Sequence, residues 1–246
     1  MLKRLITIAL LVPTLLWAKV PDEDDILLNI IDSKSEFYYP NLMLRFEMGD
    51  VDLTAEQYHY LYYGYAYQEE YQPLEANPQM ETLIAMTAEI NIDAPEIAKL
   101  HGVISIADQI LKLDPFNPKV WNILAFAYGG LNDKIKEREA FDRVEKILQT
   151  IDSSGDGLRE KSPKHIIMFD HALALMSSEN LNFSKPMIVS RNVEFVPLYA
   201  PMLVDGKKFK GYFFDFSRVY RYKPKEVTYT RDRTWQFNNL KPREYK

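Results

Sequence analysis

The 246-residue chain contains no cysteine. Disulfides, thiolate metal sites, a cysteine nucleophile and a lipid-anchored cysteine are therefore excluded, and the fold must be held by its apolar core. Glycine is scarce, at nine residues, and the sequence has no GxxxxGK[ST] phosphate loop, no GxSxG elbow and no HExxH pair. The four histidines, His59, His101, His165 and His171, show no i,i+4 spacing of the kind a helical zinc site uses. Nothing in these patterns calls for a cofactor. A membrane-spanning helix needs about 20 apolar residues, and the uncharged run 5–17 has 13.

That run has another order. Lys3 and Arg4 precede it and the small Ala18 follows it, which is the arrangement of a secretory signal. Residues 1–18 are expected to direct export to the periplasm or beyond, with no transmembrane span in the mature chain. Leu16 stands where a small residue is usual at the cut, so removal of the signal and retention as an anchor are both open.

Charge is divided unevenly. Residues 19–206 carry 16 Lys and Arg against 31 Asp and Glu, whereas residues 207–246 carry 12 against 4. The basic end is expected to lie on the acidic body or to meet an anionic surface. An acidic, exported chain gives no reason to expect nucleic acid.

The apolar period is helical over 19–151. Helices are expected at 25–33, 41–48, from Thr54 through the tyrosines, and at 78–90. Three more come after these, from Asp93 to about 113, at 118–128, and from Asp133 to Ile151. Thr54 and Gln57 form a capping box, and Leu53 can staple onto Tyr58. The last helix has Ile135, Phe141, Val144, Leu148 and Ile151 as its apolar positions. His101 shares a face with Ile97 and Ile104 and reads as a hydrogen-bonded core histidine.

Composition changes at Asp152-Ser-Ser-Gly-Asp-Gly157. Beyond it, 165–169 reads as a buried strand, 170–178 as a short helix, and 193–198, 202–204 and 212–216 as strands, with Asp205-Gly206 as a tight hairpin turn. The fold class is α+β: an antiparallel helical stack over 19–151, a small antiparallel β-sheet in a region 152–224 packed on it, and an extended basic tail over 225–246.

Two resemblances bear on function. ILKLDPFNPKVWNILAFAYGG resembles the junction between two tetratricopeptide repeats, through Leu113, Asp114, Pro115, Trp121, Leu124, Ala125 and Tyr128, with Phe141 as the aromatic of the next helix. Glu137 and Gln149 depart from the pattern, so about 40 residues are covered. The resemblance implies stacked helix pairs, which usually bind peptides or proteins. A wider likeness rests on FYYPNLMLRFEMGDVDLTAEQYHYLYYGYAYQEEY, SGDGLREKSPKHIIMF and GYFFDFSRVY in that order. It resembles a family of small exported bacterial proteins catalogued only as a domain of unknown function, DUF4919. That implies helices followed by a small sheet, and no established activity.

Seven of the sixteen tyrosines fall within residues 56–71. At about 100° per residue, Tyr58, Tyr62 and Tyr65 share one helix face and Tyr60, Tyr63, Tyr67 and Tyr71 the other. Packing between two layers is the first reading, since a tyrosine ring can be buried while its hydroxyl finds an acceptor. The second is a stacking platform made by Tyr60, Tyr63 and Tyr67, with Trp121 as a neighbour. Asp152, Ser154 and Asp156 copy the first half of a calcium loop, but position twelve, where a glutamate should close it, is Pro163. Asp170-His171 is the only acid adjacent to a histidine, and sequence neighbours point in different directions.

The chain therefore reads as an exported, non-catalytic protein that binds a protein or peptide partner on its helical surface. The alternative is a glycan-binding protein or a hydrolase of envelope glycans, with distant acids brought together by the fold.

Overall fold

The caps and stops legible in the sequence shape the front of the computed structural model, which describes residues 19–75 and 77–222. The expected signal (1–18) and basic tail (225–246) lie outside these residues. Asp22 caps helix α1 (Glu23–Ile31) by accepting from the Asp25 amide. Pro40 sits in the first turn of α2 (Tyr39–Glu47), which stops before Gly49. Helix α3 (Ala55–Gly64) opens with the expected capping box: Thr54 Oγ1 accepts from the Gln57 amide at 3.1 Å and Gln57 Oε1 from the Thr54 amide at 3.0 Å. A 3-10 turn, Tyr65–Tyr67, continues it.

Helices α4 (Gln79–Ala88), α5 (Ile97–Leu111), α6 (Pro118–Gly130) and α7 (Lys134–Asp152) then pack in sequence order. Helix α5 does not begin at Asp93 as expected. The helix begins three residues beyond Ala94, and the Asp93 amide is taken by Asn91 Oδ1 in a turn that precedes it. His101 is exposed, correcting its placement in the core, because α5 turns Leu100, Val103, Ala107 and Ile110 inward instead.

The face of α7 also differs from the apolar stripe in its sequence. Its buried residues are Ala140, Arg143, Ile147, Thr150 and Ile151, while Ile135 and Phe141 are exposed. Arg143 takes the inward place because its guanidinium lies over the Trp121 ring, 4.3 Å from the centroid, and donates to the Phe46 carbonyl at 2.6 Å. A planar cation stacked on an aromatic ring and hydrogen-bonded to a helix-end carbonyl tolerates burial that an isolated charge would not.

Strands β1 (Lys164–His165), β2 (Met187–Ile188), β3 (Val193–Val204) and β4 (Lys207–Asp215) form one sheet in the order β1-β4-β3-β2. Asp205 and Gly206, at φ 49° and 74°, make the hairpin turn between β3 and β4; a two-residue hairpin turn with two positive φ values matches the twist of the flanking strands. The sheet is mixed because β1 runs parallel to β4. The strand expected at 165–169 shrinks to β1. Ile166 and Ile167 are fully buried loop, and Phe169 opens α8 (Phe169–Ser178). Helix α9 (Ser217–Arg221) ends the described chain.

Two apolar clusters fill the interior. One gathers α1, α2 and α3 with the end of α7, the Ile166–Met168 loop, α8 and the inner faces of β3 and β4. The other lies within α4, α5, α6 and α7. The front of the chain and its C-terminal sheet thus share a core.

Candidate functional site

Tyrosines of α3 and of the segment that follows it are the hydrogen-bonding partners of the loop between β1 and α8, which has almost no ladder of its own. Tyr63 donates to the His165 carbonyl at 3.0 Å and Tyr71 to the Ile167 carbonyl at 2.7 Å. Tyr62 accepts from the Ile167 amide at 3.4 Å, while Tyr65 donates to the Leu113 carbonyl at 3.1 Å. A buried backbone group without a partner costs about as much as a lost hydrogen bond, and these phenols fill that need. Burial raises the Tyr62 and Tyr63 hydroxyls well above the usual phenol range, so both stay protonated donors.

Tyr62 also leads to a histidine cluster that joins distant parts of the chain. Its hydroxyl lies 2.8 Å from His171 Nδ1, and His171 Nε2 lies 3.1 Å from Asp114 Oδ2. Asp114 accepts in turn from Asn117 Nδ2 at 2.9 Å, and Asn117 Oδ1 caps α6 through the Val120 amide. With the Tyr62 hydrogen directed to Nδ1, the imidazole proton sits on Nε2 and is donated to the carboxylate. The arrangement fixes α3, the α5–α6 turn and α8 against one another. His171 is fully buried and Asp114 keeps a small exposed edge.

That edge belongs to a cavity of about 380 Å³ lined by Gln72, Glu75, Asp114, Asn117 and Asp170 over a floor that includes Met168 and Phe169. A larger groove of about 1040 Å³ continues from it, sharing Met80, Asn117 and Asp170. Helices α4, α6, α7 and α8 make its walls. Its apolar lining includes Ile84, Phe141, Val144, Leu148, Leu173 and Phe183. Phe141 is 57% exposed and Ile84 40% exposed. Across both spaces the charged lining is Glu75, Asp114, Glu145 and Asp170 against Lys119.

The residues expected to form a platform are dispersed. Tyr60 is buried, stacked on Phe37 at 4.0 Å, with its hydroxyl donating to Asp25 at 2.7 Å. Tyr63 is buried and meets His59 edge-on, as Tyr60 does from its own side. Trp121 packs against Phe46 and donates to the Pro115 carbonyl at 2.7 Å. Tyr67, 38% exposed, is the member of the four that presents its ring to solvent.

The oxygens of the calcium-like loop are engaged locally. Asp152 pairs with Lys164, Ser154 Oγ accepts from the His165 amide at 2.7 Å, and Asp156 Oδ1 accepts from the Leu158 amide at 2.8 Å. Among the described residues no group of three or more His, Asp or Glu is placed to hold a metal ion.

His59 is buried between Tyr60 and Tyr63, and burial pushes its pKa down to about 3. Burial also lowers His165, against the opposing pull of Asp215. Both rings are neutral near pH 7.

The sequence pointed to neither the groove nor the Tyr62–His171–Asp114 chain. The partners in that chain are 109 and 57 residues apart, and no local spacing marks them. The groove did have a signal, the Phe141–Val144–Leu148 stripe, which reads as core until Arg143 is known to occupy the inner face.

The fold and groove define an α+β protein with a helical layer, a short mixed sheet and an apolar cleft edged with carboxylates. The family model described as a domain of unknown function, DUF4919, matches residues 24–225, and the chain belongs to that family. No curated protein and no solved structure matches it. Among the described residues no helix is long and apolar enough to cross a membrane.

Proposed function

We propose that this is an exported, non-catalytic binding protein whose groove takes a basic, apolar segment of a protein partner. One observation carries the reading. Helix α7 spends its inner face on Arg143, Ala140 and Ile147, and turns a second apolar ridge, Phe141, Val144 and Leu148, into an open cleft. Apolar surface left in water forgoes about 25 cal/mol per Å², and a volume of about 1040 Å³ is at the upper end of ordinary ligand sites. It is large enough for several side chains of a peptide.

Charge narrows the partner. The groove and its extension carry four carboxylates against one lysine, and residues 19–206 are strongly acidic overall, so a basic segment is drawn in and an acidic one repelled. Export rests on the order of Lys3, Arg4, apolar run and Ala18.

A glycan reading has one feature in its favour, since Asp114 and Asp170 both line the smaller cavity. Against it, Asp114 is already engaged by His171 and Asn117, and no tyrosine among the described residues lines either space.

The test is titration of fluorescent peptides, basic-aromatic against acidic-aromatic of equal length, into the full chain and into Phe141→Asp. Basic peptides are expected to bind in the micromolar range, with Kd weakened about tenfold or more by Phe141→Asp, a loss of roughly 1.4 kcal/mol. An exposed position should leave Tm almost unchanged. Equal binding of both peptide classes, or binding indifferent to Phe141→Asp, would refute the proposal.

A further inference from the structure

The hairpin of β3 and β4 outruns the part of the sheet that joins the core. Its root is fixed beside the groove: Phe183, a groove residue, bridges to Leu198, and the Tyr199 amide donates to the Asn182 carbonyl at 3.0 Å. Beyond that point no residue from 199 to 210 is buried, and none of them lines either space. From Leu198 to Val204 this arm reaches up to about 20 Å, at roughly 3.3 Å per residue.

The arm is both basic and apolar. Lys207, Lys208 and Lys210 are exposed and have no ion-pair partner among the described residues. Lysines alone would serve to protect a sheet edge from chance pairing. Tyr199 and Leu203, 76% and 68% exposed, do not serve that end. The register sets Leu203 opposite Lys208 on one face of the arm and Met202 opposite Phe209 on the other, so each face carries apolar side chains. The groove and its extension offer the converse. Glu75, Glu145 and Asp170 are exposed on their walls and also lack an ion-pair partner among the described residues, beside the exposed rings and chains of Phe141 and Ile84. Two surfaces of opposite charge, each apolar and each without cover among the described residues, thus stand on one molecule.

Resting on the groove reading above, we infer that the basic segment this groove takes is the β3–β4 arm of a second copy of the chain. Tyr199 and Leu203 of one copy pack on the walls at Phe141 and Ile84 of the other, and Lys207, Lys208 and Lys210 face Glu75, Glu145 and Asp170. Arm root and groove adjoin at Phe183, so seating one arm in the second copy's groove brings the second arm to the first groove. The exchange is reciprocal about a two-fold axis, and it closes at a dimer instead of growing into a filament. Every contact is then made twice, which lets an arm too weakly bound to hold alone hold as one of a pair.

The experiment is sedimentation velocity on the full chain from about 1 to 100 µM, a range in which a dimer of micromolar Kd appears by mass action. Two charge reversals divide the contact: Lys207→Glu/Lys208→Glu/Lys210→Glu on the arm and Glu145→Lys/Asp170→Lys in the groove, with thermal melts to show that both fold. Each alone is expected to weaken the dimer about tenfold or more, because like charges then face each other. Mixed in equal amounts they should restore it, since each altered arm meets an altered groove and each native arm a native groove. Leu203→Asp and Phe141→Asp, both at exposed positions, should weaken it as well, and they take the place of either reversal if that one unfolds.

The inference is overturned if wild type stays monomeric at every concentration, if an arm substitution weakens a dimer that the groove substitutions leave intact, or if the mixed reversals fold and stay monomeric. A monomer that binds phosphatidylglycerol vesicles through the three lysines overturns it too, and gives the arm to a lipid surface. If wild type is monomeric while the basic-aromatic peptide still binds and loses affinity in Phe141→Asp, the groove reading stands and this inference alone fails. Peptide binding indifferent to Phe141→Asp removes the groove reading and this inference with it.

Discussion

Replacing Tyr62 by phenylalanine removes one oxygen that meets both His171 and the Ile167 amide. The ring keeps its contacts with Tyr63, Phe116 and His171, so packing is nearly unchanged and the loss is polar. His171 Nδ1 loses its partner at 2.8 Å, and the Ile167 amide loses a long one at 3.4 Å. Leaving a buried acceptor unsatisfied costs about 1–3 kcal/mol, and the longer bond adds a fraction of that, so the expected destabilisation is about 2–3 kcal/mol. The internal control is Tyr60→Phe. Its hydroxyl bonds the exposed-side carboxylate of Asp25, which water can resolvate, so no more than about 1 kcal/mol should be lost. Urea unfolding followed by circular dichroism gives both values. With m of about 2–3 kcal/mol per M, Tyr62→Phe should lower the midpoint by about 1 M at unchanged slope. If the two substitutions cost the same, or if Tyr62→Phe costs less than about 0.5 kcal/mol, the hydrogen-bonded chain through His171 is not what holds these helices together.

Two other outcomes come from geometry. His59 is held near 3 in the folded protein, whereas an unfolded histidine titrates near 6.5. The unfolded chain takes up the proton first, so this contribution to stability is complete above about pH 6.5 and falls by up to about 1.4 kcal/mol per pH unit below it; urea midpoints between about pH 7 and 4 should flatten in His59→Gln, leaving the slope due to His165. Gly155→Ala would place a Cβ 2.1 Å from the Pro163 carbonyl oxygen, a backbone atom that cannot swing aside. A loss of about 2 kcal/mol or more is expected, and a thermal melt within 2 °C of wild type, roughly 1 kcal/mol or less at this size, would contradict it.

Local chemistry was legible and its long-range use was not. The Thr54–Gln57 box, the helix following Pro118 and the Asp205-Gly206 turn all form as the sequence implies, because each depends on residues within one turn of chain. The tyrosines were also readable as packing between layers, since both faces of one helix carried rings that need cover. Three features escaped. His101 shares a face with Ile97 and Ile104 and so reads as inward, although Leu100, Val103, Ala107 and Ile110 offer a wider apolar stripe on the same helix. On α7 the burial of Arg143 displaced Phe141 from the core, and only the rings of Trp121 and Phe46, supplied by other helices, explain that choice. The parallel addition of β1 to β4 joins segments about 50 residues apart, with the hydroxyls of Tyr62 and Tyr71 taking over where a longer ladder would have run. In each case the deciding partner is remote in sequence.

The core shared between the first helices and the last strands also sets an order in time. Tyr63 and the carbonyl it serves are 102 residues apart. At synthesis rates of about 5–20 residues per second, α3 is made roughly 5–20 s before the loop that covers it. Until then the Tyr63 hydroxyl lacks its acceptor, and the early helices have only part of the surface that would make them fold cooperatively. Closing such long loops is entropically costly and slow. The front of the molecule is therefore committed to waiting for its C-terminal strands, and the folding rate is set by that reunion more than by helix formation.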